Sequence, residues 1–200
     1  NKELIKLLKK YEELIHENDK INVEILKKNG FQVEYSDVSY YYEHKENGFF
    51  PLFNAMRDKG YTNSVFDFYK NIYLKHLEHI RYDFADSIIS LIKKCNGIPV
   101  LAHPAGYKKF YDNYEFDEKR LNDFLEFGIE GIEVYSNYHT EDETKFFLEF
   151  TQKNNLLATG GSDCHGEILA RELGTPKVSY EIFENLLEAI SKKNGHDTWI

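Results

Sequence analysis

The chain has 200 residues, 42% hydrophobic and 16% aromatic, which excludes a disordered chain and suffices for one domain, or a core with a small appended piece. A net charge of −9 disfavours stable nucleic-acid or membrane binding. An anionic substrate would have to be drawn in by metal ions or a local basic group.

No run of about 18 apolar residues is present to cross a membrane. The opening residues lack the apolar centre of a signal peptide, and Cys95 and Cys164 are not spaced as a metal or redox pair. The expectation is a cytoplasmic chain. Because it starts on Asn1 and directly in helix, it is also expected to be a piece of a longer protein.

The first part reads as helix after helix. Leu4, Leu7, Leu8, Tyr11, Leu14 and Ile15 recur at helical spacing. Ile21, Ile25 and Leu26 predict a second, short helix stopped by Asn29-Gly30. Asp37 is expected to cap a helix through Tyr42, Phe49 to Lys59 forms the next, and Thr62, Asn63 or Ser64 caps another through Val65, Phe68 and Tyr69. The expected architecture is a small helical subdomain over residues 1–82.

From residue 83 onward, helices alternate with short apolar runs. The helix FADSIISLIKKC ends at Asn96-Gly97 and is followed by the run Ile98 to Ala102. Asp117 caps a helix closed by Gly128, and Ile132 to Tyr135 is the next run. Thr140 and Glu143 make a capping box for a helix reaching Lys153. Leu156 to Thr159 is the third run, and Ser179 caps the last helix. Such alternation predicts βαβ units and a parallel sheet over residues 83–200, an α/β fold.

Chemistry-bearing residues follow each predicted strand. His103-Pro104 comes after the first, Glu133, Tyr135 and His139 accompany the second, and Ser162-Asp163-Cys164-His165-Gly166 follows the third. C-terminal strand ends converge on one face of parallel α/β proteins. In an extended stretch Asp163 and His165 would point to the same side, offering carboxylate and imidazole to a borderline divalent metal such as Zn, Mn or Fe. His103 would be a third metal ligand, its backbone held extended by Pro104. Glu133 either orients a ligand or caps a neighbouring loop, and His139 either meets a substrate phosphate or serves helix entry beside Thr140.

The remaining histidines carry less. His16, His44 and His196 sit in charged surroundings and read as solvated, while His76 and His79 share a helix face as an exposed stripe. Cys164 is expected to point into packing. The aromatic set Tyr40, Tyr41, Tyr42, Phe49, Phe50 and Phe53 reads as core of the helical part rather than a base-stacking platform.

Three segments resemble the PHP (polymerase and histidinol phosphatase) superfamily of metal-dependent phosphoesterases: Gly97 to Pro104, Gly131 to Tyr135 with His139-Thr140, and Gly161 to Gly166. The helical part, including Ala55 to Tyr61, is similar to the helical insertion of the branch acting on nucleotide or oligonucleotide phosphates. The resemblance implies a partial distorted (β/α)7, TIM-like PHP barrel with up to three divalent metals. It implies His103, Asp163 and His165 as metal ligands, and Glu133 and His139 as catalytic residues lining the pocket. The implied reaction is hydrolysis of a small phosphate ester. The family's first motif, Asp-x-His-x-His-Thr, is absent, and Asn47 to Leu52 stands where that branch carries Arg-Pro-His. The expectation is therefore the C-terminal portion of a PHP protein, whose exposed sheet edge is covered either by self-association or by the absent half. A non-catalytic PHP-like module and a metal-dependent amidohydrolase or deacetylase are the alternatives.

Overall fold

The computed structural model describes residues 1–45, 50–111, 114, 116–165 and 172–195. Asn47, Gly48, Phe49, Gly166 and His196, singled out above, lie outside the described residues. The chain divides into two compact units: Asn1–Leu4, Asp83–Asp163 and Glu172–Ile200 form one, and Ile5–Tyr82 with Cys164–Arg171 the other.

Helix α1 is continuous over Lys2–Lys28, and the helical unit takes it in from Ile5 onward. Two helices are expected from the polar stretch between the apolar stripes, yet that stretch contains no breaker. Its polar residues are buried and satisfied instead. Asp19 accepts the Tyr42 hydroxyl at 2.7 Å, and Asn22 makes a two-way amide pairing with the Glu78 backbone at 2.8 and 3.1 Å. Helix α2 spans Tyr35–Glu43, with Glu34 rather than Asp37 at its N-cap; Asp37 closes the capping box from the third helical position.

Helix α3 is Pro51–Asp58. Ser64 caps the short α4, Val65–Phe68, by accepting from the Asp67 backbone, and a π-helical turn Tyr69–Tyr73 leads into α5, Leu74–His76. Helix α5 ends at His76, so the shared helix face expected for His76 and His79 does not form; the His79 ring stacks on Tyr73 at 4.8 Å. His16 and His44 are not simply solvated, since their rings lie 3.5 Å from Tyr42 and 4.2 Å from Tyr40. Val23, Leu26, Val38, Phe53, Met56 and Phe68 form the buried centre of this unit. Of the aromatic set, Tyr41 and Phe53 are buried, whereas Tyr40 and Phe50 are exposed.

The second unit holds α6 (Ala85–Lys94), β1 (Val100–Leu101), a 3-10 helix (Pro104–Lys109), α7 (Glu118–Phe127), β2 (Gly131–Ser136), α8 (Glu141–Lys153), β3 (Leu157–Gly161) and α9 (Tyr180–Asn194). The local signals act as expected at α7 and α8. Asp117 accepts from the Arg120 backbone and Gly128 ends α7 with φ 92°, a conformation that costs glycine little; Thr140 and Glu143 complete the capping box of α8. The strands form one parallel sheet in the order β1-β2-β3. It is an α/β fold with a small parallel sheet among the described residues.

Burial alternates along β2. Ile132, Val134 and Ser136 are buried, whereas Glu133 and Tyr135 are half-buried on the other face. Ile132 and Val134 join Leu121, Ile129, Phe147 and Phe150 in the core. A register shift between Glu133 and Tyr135 interrupts the β2–β3 ladder. There Gly160 admits close approach: a Cβ on it would lie 2.7 Å from the Tyr135 Cβ and 2.8 Å from the Tyr135 carbonyl oxygen.

Candidate functional site

The strand ends carry the site residues. Just past β1, His103 has φ 28° and ψ 61°, and just past β3, Asp163 has φ 50°. Two expectations are thereby corrected. Pro104 does not hold His103 extended but opens the 3-10 helix, and Asp163 is not part of an extended stretch, so the alternation argument for Asp163 and His165 does not apply. Four described non-glycine residues have positive φ. Two are asparagines just after helix ends, where that conformation is common; the other two are His103 and Asp163. Backbone held in sparsely populated conformations clusters at functional sites.

Side chains of β2 and its following loop tie these turns down. The His103 backbone N–H donates to Glu133 Oε2 at 3.0 Å. The Tyr138 hydroxyl donates to Asp163 Oδ2 at 2.8 Å, and its ring lies 5.1 Å from the His103 ring. Gly106 makes room for both, since a Cβ there would sit 3.0 Å from His103 Nδ1 and 3.2 Å from the Tyr138 ring. The Asn137 amide donates to the Ser162 and Thr175 carbonyls at 3.2 and 3.3 Å, holding the turn before Asp163.

His103 Nδ1 is buried with no hydrogen-bond partner among the described residues. Leaving a buried polar atom unpaired costs roughly 1–3 kcal/mol, so it asks for a functional account. Burial pushes the Glu133 carboxyl above its ordinary value, against the opposing pull of His103, and the Asp163 charge adds to the rise. Burial pushes His139 down, keeping its imidazole neutral near pH 7. Its Nδ1 lies 2.9 Å from the Val134 carbonyl and its Nε2 3.4 Å from the Ala105 N–H. Both contacts are satisfied together by a ring that donates from Nδ1 and accepts at Nε2.

The structure thus brings His103, Glu133, Asp163 and Tyr138 together, with His139 one turn away against Ala105. His165 belongs to the helical unit by packing, its ring 5.8 Å from that of Phe50. Among the described residues no group of three or more His, Cys, Asp or Glu is placed to hold a metal ion. Both cysteines are half-buried free thiols.

No protein-family model matches the chain. Its sequence is 33% identical over 88 residues to a phosphoribosyl 1,2-cyclic phosphate 1,2-diphosphodiesterase of Eggerthella lenta, covering 44% of this chain and 30% of that one. Its fold matches a protein of Bifidobacterium adolescentis provisionally named a metal-dependent phosphoesterase (TM-score 0.74, 20% identity, 86% of this chain, 62% of that one). It also shares its fold with an amidohydrolase of Chromobacterium violaceum whose structure has sulfate bound and no metal (TM-score 0.74, 21% identity, 95% and 68% covered). The chain spans about 30% of the length of the curated relative it matches.

Sequence reasoning missed Tyr138 and Asn137 in this site. Their only signal was position, between a strand end and His139; a buried tyrosine there reads as ordinary core until its hydroxyl is seen on Asp163.

Proposed function

We propose that this chain carries part of a metal-dependent phosphoesterase site, set on part of a distorted (β/α)7 barrel. One observation carries the reading: His103 and Asp163 follow the strands flanking β2 in left-handed backbone, and His103 Nδ1 is buried without a partner among the described residues. An imidazole nitrogen and a carboxylate are donors that Zn, Mn or Fe accept, so the residues suit a divalent metal in kind. His103 and Asp163 would hold it, with His165 the third ligand on the strength of its sequence motif. A metal bound there would activate a water and neutralise phosphoryl oxygens, with up to three metals in an intact site.

The chain's own residues do the positioning. Glu133 holds the His103 turn through the backbone N–H, and burial raises its carboxyl above the ordinary value, which favours a role in moving a proton. Tyr138 fixes the orientation of the Asp163 carboxylate by donating to one of its oxygens. His139, with both nitrogens engaged by backbone, positions the 3-10 helix against β2 rather than reacting. The substrate is a small phosphorylated molecule, a nucleotide or similar ester; the name of the Eggerthella relative, a phosphoribosyl cyclic-phosphate diesterase, supports that class. Self-association through the edge of the short β1 strand belongs to the same proposal.

Elemental analysis of the purified chain after incubation with Zn, Mn or Fe, beside a His103→Ala, Asp163→Ala variant, tests it. Bound metal that the variant loses, with hydrolysis of glycerol phosphate lost in parallel, is expected. Metal retained by the variant, or hydrolysis of amide but not phosphate esters, would overturn the reading.

A further inference from the structure

A cavity of about 450 Å³ lies within the α/β unit, in the roughly 300–1,000 Å³ range of small-molecule pockets. Tyr114, Phe116 and Phe146 line it and are only half-buried, so each keeps ring surface for an occupant. The Arg120 guanidinium lies 4.7 Å from the Tyr114 ring and braces that wall.

The polar lining discriminates between occupants. Lys108 Nζ lies 2.6 Å from Glu143 Oε2, so the cation in the wall is already neutralised by a carboxylate. Asp117 adds a further negative charge. The lining cation is thus already engaged and does not stand ready for a bare phosphate. The cavity suits an uncharged flat ring that stacks on the aromatic walls and turns edge donors and acceptors toward the ion pair.

The cavity borders the residues around His103. Ala105 lines it and donates its backbone N–H to His139 at 3.4 Å, and the His139 ring lies 4.8 Å from Phe147, another lining residue. Ring contacts also run from His103 to Tyr107 at 6.2 Å and on to Tyr114 at 5.5 Å. An elongated molecule with an acidic group at one end and a ring at the other matches this division.

We propose that the cavity receives the uncharged heteroaromatic end of the substrate, a nucleobase, while the residues around His103 handle its phosphoryl group. The second half rests on the phosphoesterase reading; the first does not. Adenosine, which has no phosphate, is therefore the probe, with binding followed by calorimetry on the chain, on Phe146→Leu and on Phe146→Ala. Circular dichroism confirms that each variant is folded, and Phe146→Leu keeps most of the apolar volume while removing the stacking face. Binding to the parent chain that weakens about tenfold or more in the variants is expected, from the usual strength of base–aromatic stacking. Absence of adenosine binding, or equal binding by Phe146→Leu, would overturn the proposal, whatever the outcome with esters. Hydrolysis of glycerol phosphate, which has no ring, is measured in parallel. A chain that binds adenosine through Phe146 but cleaves no ester keeps the ring site and loses the phosphoesterase reading.

Discussion

Replacing Asp19 by Asn should stabilise the helical unit at neutral pH and flatten part of its pH dependence. Asp19 sits buried in the middle of α1 beneath the Tyr42 hydroxyl. Burial outweighs that hydrogen bond and pushes its carboxyl from 3.8 up to about 6. Burial and the Asp19 charge in turn push the Tyr42 phenol up, so it remains the donor. The folded chain thus holds the Asp19 proton more tightly than the unfolded chain. The resulting stability is fully present below about pH 3.8 and is lost as pH rises through about 6. At 1.36 kcal/mol per pH unit the loss amounts to about 3 kcal/mol. Asn keeps an acceptor for Tyr42 and never ionises. Urea denaturation followed by circular dichroism at several pH values between 4 and 7.5 reads the difference between the two proteins, in which all other titrations cancel. The variant should gain about 2–3 kcal/mol over the parent across that span. A difference that stays flat with pH, or a variant less stable at pH 7.5, would refute the account of Asp19 as an ionised buried carboxylate.

Tyr138→Phe should unfold about 1–2 kcal/mol more easily, because the Asp163 carboxylate loses the Tyr138 hydrogen bond, and should bind metal about 10- to 100-fold more weakly; unchanged affinity by metal titration would count against a positioning role. Gly160→Ala should lower stability by about 1–3 kcal/mol in thermal melts, since its Cβ meets the Tyr135 Cβ and Val178 Cγ2 at 2.7 Å. Phe147→Ala should cost about 3–5 kcal/mol, as that ring is 1% exposed at the centre of the second core. The raised Glu133 predicts ester hydrolysis that rises with pH through a carboxyl group ionising above its ordinary 4.5 if it acts as a base. A Glu133→Gln profile that keeps the same limb would exclude it.

The sequence by itself determined what depends on local contacts. Asp117 and Gly128 bound α7, Thr140 and Glu143 start α8, and the three apolar runs became parallel strands, because caps and periodicity act within a few residues. The order of polar residues after those strands was legible too. Tertiary structure alone decided the rest. Helix α1 runs unbroken through a polar stretch because Tyr42 and the Glu78 backbone, distant in sequence, satisfy Asp19 and Asn22. His103 turns left-handed because Glu133, thirty residues away, takes its N–H, and Pro104's local preference yields to that bond. Tyr138 reaches Asp163 only once β2 and β3 lie side by side in register. No window of sequence contains both partners of these bonds, so folding alone revealed them.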